Sequence, residues 1–126
     1  MSEPVSLGQF EQLVLTAILM LSGNAYGVTI HEKVEDLARP KRVALGAVYA
    51  TLDRLEDKGF ITSWLSNPTP ERGGRSKRHY RLEKSGARAL HDAARTARRI
   101  CDVIEQSEEA SVWSGKPRKW KPARQH

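Results

Sequence analysis

Residues 45–82 set a short amphipathic helix, a strand, a cation-rich glycine loop and a second strand in immediate succession. Leu45, Val48, Leu52 and Leu55 share one face of a helix spanning about 45–58. Gly59 suits its C-terminus, because glycine takes the left-handed conformation there without a Cβ clash. Residues 60–65 and 77–82 are rich in β-formers and alternate roughly in polarity, which predicts a pair of strands. Pro68, Pro70, Gly73 and Gly74 lie in the loop between them. The outer positions at the start of the helix are the smallest residues available, Gly46, Ala47 and Ala50. A helix with a small outer face beside a basic hairpin is the working half of a winged helix-turn-helix.

The upstream chain supplies the rest of that fold. Leu7, Phe10, Leu13, Val14, Ala17, Ile18 and Leu21 follow the i, i+3, i+4, i+7 spacing of a core-facing helix. Ser22-Gly23-Asn24 stops it. A second helix is expected over 25–37, with Ile30, Val34 and Leu37 buried, and Pro40 ends it. The connector Arg39-Pro40-Lys41-Arg42 is basic. The predicted fold is mainly α with a small β-hairpin: an arm at 1–6, a winged helix-turn-helix at 7–82, a dimerisation helix at 83–110 and a basic tail at 111–126.

In the last helix Ala87, Leu90, Ala94, Ala97, Cys101, Ile104 and Glu108 recur at alternating intervals of three and four, a heptad seam. Such a helix, about 28 residues and ~40 Å long, exceeds what so small a domain can cover. A second copy of the chain is the expected partner, docking on Leu90, Ala94, Ala97, Cys101 and Ile104. The tail carries Trp113 and Trp120 among Lys, Arg and Pro, without periodicity.

Charge is unevenly distributed. Residues 1–38 hold one Lys against five acids, whereas residues 39–81 hold ten Lys/Arg against four acids, and the whole chain carries +6. A basic segment that coincides with the helix and hairpin points to double-stranded DNA as the partner. The lone Cys101 excludes an internal disulfide. No run of about 18 apolar residues exists, so no membrane partner is expected, and a cytoplasmic protein is.

The sequence gives no support to enzymatic chemistry. His31, His79, His91 and His126 stand in four different segments, no His/Cys set has metal-ligand spacing, and no nucleophile elbow or phosphate loop appears. No catalytic residue, metal or cofactor is expected. At 100° per residue, Gly46, Ala47, Ala50 and Arg54 face outward, with Tyr49 and Thr51 on the flanks. Tyr49, Thr51 and Arg54 are candidates for contact with bases or groove walls. Lys41 and Arg42 in the connector, and Arg72, Gly74, Arg75 and Lys77 on the wing, are candidates for phosphate.

The segments Leu7–Leu15, Asn24–Gly27, Gly46–Gly59 and Arg72–Leu82 together resemble the PadR family of bacterial transcriptional regulators over residues 7 to about 86. The resemblance implies a winged-helix repressor that dimerises through its C-terminal helix. It also implies that the helix matching Tyr49–Arg54 and the wing matching Arg75–Lys77 touch DNA. Family members often control efflux or detoxification genes and respond to small aromatic or cationic compounds, so a small-molecule effector is a further expectation. This chain departs from larger members in having one C-terminal helix, and it has no Phe, Tyr or Trp within 83–110. Two other classes fit less well. A winged-helix protein-interaction module needs no such basic wing. A nonspecific nucleic-acid coat would lose its binding to competitor DNA at physiological salt.

Overall fold

The computed structural model describes residues 7–66 and 76–107. Four helices and two strands follow in the order α1 (Gln9–Leu21), α2 (Gly27–Ala38), α3 (Leu45–Asp57), β1 (Ile61–Leu65), β2 (Arg78–Leu82) and α4 (Lys84–Gln106). This is the mainly helical winged fold expected from the sequence. Most element ends lie within two residues of the sequence reading, but α4, expected to reach 110, ends at Gln106. The arm at 1–6, the loop residues 67–75, residues 108–110 and the basic tail lie outside the described residues.

The chain divides into two units, residues 1–93 and 94–126. In the first, α1, α2 and α3 pack on one another, α1 also meets β2, and α3 meets β1. Val14, Leu15, Ala17 and Ile18 of α1, Ile30 and Val34 of α2, and Val48, Leu52 and Leu55 of α3 make the core, closed by Phe60, Ile61 and Tyr80. The helical stripes therefore converge as their spacing dictates. Two of the leucines expected inside are exceptions: Leu37 and Leu45 are 40% and 41% exposed. Each sits at an end of its helix, where the neighbouring helices no longer cover it.

Local signals set the ends. Ser22 and Gly23 turn the chain at positive φ after α1, and Gly59 does so after α3 at φ 80°. At the start of α1, the carboxylate of Glu11 reaches back to accept the Gly8 N–H at 3.0 Å. Before α2, Thr29 accepts the Tyr26 N–H at 3.0 Å and donates to the Asn24 carbonyl at 2.7 Å. These are the return half of a capping box, in which the third helical residue accepts the N-cap amide, while Gly8 and Tyr26 give no side-chain cap in exchange.

β1 and β2 pair antiparallel in the register Ile61↔Leu82 to Leu65↔Arg78. The segment before α2 joins the sheet: Tyr26 bridges to His79, and Tyr80 N–H donates to the Ala25 carbonyl at 2.8 Å. The hairpin is thus tied to α2 by backbone as well as side chains. Gly86 is buried against the Phe60 carbonyl, where a Cβ would collide. Its lack of a side chain lets α4 start close to the α3–β1 corner, and Ser85 Oγ donates to the Gly59 carbonyl at 2.7 Å.

In α4, Ala89 and Leu90 pack on the core of the first unit. In the second unit the described residues are 94–107. Here Ala94, Ala97 and Cys101 are exposed, as are Ile100, Val103 and Ile104, with Val103 70% exposed.

Candidate nucleic-acid interface

The outer face of α3 is flat for a physical reason. Its exposed positions Gly46, Ala47 and Ala50 carry at most a methyl group, so the backbone lies close to the surface. Ala44 precedes the helix in an extended conformation and supplies no side-chain cap. The amides at this end have no capping side chain and carry the positive end of the helix dipole. Lys41 and Arg42 are exposed just upstream, so small residues, bare amides and cations meet at the leading end of α3.

The structure divides the longer candidates. Tyr49 is exposed, but its hydroxyl and ring edge rest against Gly27 at the start of α2, where a Cβ would collide with them. Its ring is therefore held at the flank of the small face. Thr51 is corrected. It is 1% exposed and cannot meet a ligand directly. Helix α3 is covered by α1, α2 and β1 together, which widens its buried arc past the stripe that simple periodicity assigns. The Thr51 hydroxyl instead accepts a hydrogen bond from Arg54 Nη2 at 3.0 Å and so steadies that exposed guanidinium.

On the wing, Lys77 is half-buried, and its ammonium lies 3.8 Å over the Tyr26 ring. Strand alternation places it with His79 and Arg81. His79 stacks on Trp64 with ring centroids 5.5 Å apart and meets Tyr26 edge-on, and Arg81 approaches the Trp64 ring. On the other face Arg78 donates to Ser63 Oγ at 2.9 Å, and Ser63 donates to Glu56 Oε2 at 2.7 Å, linking the hairpin to the far end of α3. The sequence reading missed this relay. Glu56 and Ser63 carry no local signal of it, and only the fold brings them together. Arg72, Gly74 and Arg75 lie outside the described residues.

Two further groups of side chains hold α3. From α2, His31 and Glu35 meet the peptide groups of Val43: His31 Nε2 lies 2.7 Å from the Val43 carbonyl, and Glu35 Oε2 accepts the Val43 N–H at 2.9 Å. The Val43 amide is the first cause holding the Glu35 carboxyl below its ordinary range. Partial burial opposes it, and the charges of His31 and Arg42 assist. At the trailing end Lys58 Nζ donates to Glu11 Oε2 at 2.8 Å. Burial alone would raise the Glu11 carboxyl. The bonds from Lys58 and Gly8, with the Lys58 and Arg54 charges, outweigh it and hold the carboxyl low.

A groove of about 530 Å³ opens beside the leading end of α3. Phe10, Leu13, Leu37 and Val43 give it apolar walls, and Arg39, Lys41 and Arg42 stand at it with Ala44 and Ala47. Among the described residues no group of three or more His, Cys, Asp or Glu could hold a metal ion, and no helix is long and apolar enough to cross a membrane.

Comparison with known proteins agrees with this geometry. The model of the transcriptional regulator PadR-like family matches residues 15–92. A PadR family transcription regulator from Clostridium difficile R20291 is 26% identical, with a TM-score of 0.64 over 79% of this chain and 97% of that one. A PadR family transcriptional regulator from Eggerthella lenta shares the fold at 23% identity and a TM-score of 0.60, over 75% of this chain and 80% of that one. The Aeropyrum pernix ORC1 protein, solved in complex with DNA, is 26% identical with a TM-score of 0.56, over 73% of this chain and 26% of its own. No curated protein matches the sequence.

Proposed function

The chain belongs to the PadR-like family of transcriptional regulators, and on that footing we propose that it is a homodimeric repressor of a pseudo-palindromic DNA operator. It is a DNA-binding regulator and not an enzyme. The observation that carries the finer reading is the leading end of α3, where Gly46, Ala47 and Ala50 expose backbone beside Lys41 and Arg42. Small residues let that end sit against the floor of a major groove, and the uncapped amides and cations take the flanking phosphates. Asp53 and Asp57 are exposed further along and repel DNA, so the helix enters with its N-terminus first.

Arg54 and Tyr49 then flank the groove walls as the longest side chains available for base contact. Lys77, with Arg72, Gly74 and Arg75 of the wing, supplies the phosphate contacts beside it. With so few base-reading donors, much of the specificity comes from DNA shape.

Support for the dimer comes from the exposed apolar face of α4. Ile104 continues the seam of Ala94, Ala97 and Cys101, and the exposed Ile100 and Val103 widen the apolar surface on its Ile104 side. Leu90 contributes less than its heptad position implies, since it is partly committed to its own core. A second copy docking along this face presents two α3 helices, which matches an operator with two half-sites roughly 34 Å apart. Binding of that kind over a promoter blocks transcription, and its setting is the cytoplasm. For a small-molecule effector, the groove beside α3 has the right make-up for an apolar body with an anionic end, and an occupant there would lie against Ala44 and Ala47.

Selection of duplexes from a random pool with the full-length protein, followed by footprinting of the winner, tests the reading. A protected site of two inverted half-sites is expected. Recovery of no preferred sequence would favour a winged-helix module that binds protein instead.

A further inference from the structure

The leading end of α3 has no side-chain cap of its own, yet the residue just before its cap is gripped on both sides. Val43 has one backbone donor and one backbone acceptor, and α2 engages both. His31 and Glu35 stand one helical turn apart on the same face of α2, 3.7 Å from each other. Glu35 takes the Val43 N–H at 2.9 Å, and His31 meets the Val43 carbonyl at 2.7 Å. Since a carbonyl can only accept, His31 donates from Nε2, a role open to its neutral Nε2–H tautomer and to imidazolium alike. We propose that His31 and Glu35 are positioning residues for DNA recognition, holding the Val43 peptide so that α3 meets the groove at one fixed angle.

Geometry favours this over a merely structural tie. The grip falls two residues before the first turn of α3, so a small rotation of the Val43 peptide swings the bare amides of that turn. A side-chain cap on Ala44 would steady the helix equally well but would occupy the amides that phosphate needs. Gripping the preceding residue steadies the helix and leaves the Leu45 and Gly46 amides without a side-chain cap, while the Ala47 amide donates to the Ala44 carbonyl at 3.1 Å. Glu35 also lies 3.6 Å from Arg42 Nε, while the Arg42 side chain is almost wholly exposed and free to turn toward phosphate.

The inference rests on the DNA-binding reading, and the test separates the two. The probes are a duplex selected from a random pool by the wild-type protein and a scrambled duplex of the same length. Glu35→Ala and Glu35→Gln remove the same charge near Arg42, but only glutamine keeps an acceptor for the Val43 N–H. His31→Phe keeps a ring without a donor, and His31→Gln keeps a donor. If loosening leaves α3 correctly seated about a tenth of the time, affinity for the selected duplex falls about tenfold in proportion to the competent fraction. Glu35→Ala and His31→Phe should therefore lose about tenfold in the ratio of selected to scrambled affinity, and both glutamine variants should stay within about twofold of wild type.

Equal ratios in the alanine and glutamine variants at position 35 would overturn the proposal. Amide hydrogen exchange on the wild type serves as the second measurement, independent of folding in any variant. A protected Val43 amide is expected, and exchange at the rate of an unstructured peptide would remove the grip while leaving DNA binding intact. A wild type that prefers neither duplex would instead overturn DNA recognition and the positioning role with it.

Discussion

Replacing Glu11 with glutamine isolates the charge that ties α1 to the trailing end of α3. The carboxylate has two partners, the Gly8 N–H at 3.0 Å and Lys58 Nζ at 2.8 Å. Glutamine keeps a carbonyl oxygen for one of them and loses the ionic part of the other. A hydrogen bond to a charged group contributes about 1.5–3 kcal/mol, and the half-exposed Lys58 lowers that, so a loss of about 1 kcal/mol is expected near neutral pH. For a domain of this size that is a fall in Tm of about 4–8 °C. The pH dependence follows from the lowered folded-state carboxyl. The stabilisation is complete above the ordinary carboxylate value of 4.5 and is lost as pH falls through the lower folded value. Urea denaturation of wild type and Glu11→Gln, at equal protein concentration, should show the gap at about pH 7 and a smaller one at a pH well below the ordinary carboxylate value of 4.5. A gap of the same size at both pH values would refute the argument, because the effect would then be one of shape and not of charge.

Gly27→Ala pushes a methyl group into the ring and hydroxyl of Tyr49, an exposed side chain that can turn aside, and should cost at most about 1 kcal/mol in urea unfolding. In a Tyr49→Ala background the cost should nearly vanish, and an equal cost in both backgrounds refutes the contact. Ile100→Asp with Ile104→Asp places two carboxylates on the exposed face of α4 and should give monomers on sedimentation, whereas an intact dimer would clear that face of the role. Titration at several salt concentrations separates the two DNA-contact roles. Lys77→Ala should weaken selected and scrambled duplexes alike, with a salt slope flatter by at most about 0.9 per monomer, while Arg54→Ala should narrow the gap between the duplexes and change the slope less.

The order of elements was legible in the chain because each signal is local. Periodicity gave the stripes on α1, α2 and α3, Gly23 and Gly59 marked ends, and alternating polarity marked the two strands. Legibility failed where three elements meet. Thr51 is polar and flanks the stripe, so periodicity left it outside, but α3 is enclosed on three sides and the fold buries it. Lys77 read as a free cation, since nothing in its neighbourhood of sequence announces the Tyr26 ring under it. Leu37 and Leu45 read as core because periodicity carries no information about where a helix outruns its neighbours. The roles of His31, Glu35 and Glu11 were invisible for the same reason. Each acts on a backbone or side chain brought near only by folding, and each is otherwise an ordinary polar residue on a helix.

These polar residues share a target. Helix α3 is pinned at its leading end by His31 and Glu35 on Val43, and at its trailing end by Glu11 on Lys58 and by the Glu56–Ser63–Arg78 relay to the wing. The outer face of its leading half, by contrast, offers Gly46, Ala47 and Ala50. A helix with many long donors can tolerate small errors of placement, because flexible side chains search for their bases. A helix that presents backbone and methyl groups has no such reach, and its fit to the groove depends on the angle at which the scaffold holds it. Specificity in this protein is therefore expected to reside as much in the residues that aim α3 as in those that touch DNA. Substitutions at His31, Glu35 and Glu11 should then shift sequence preference without any of these side chains meeting a base.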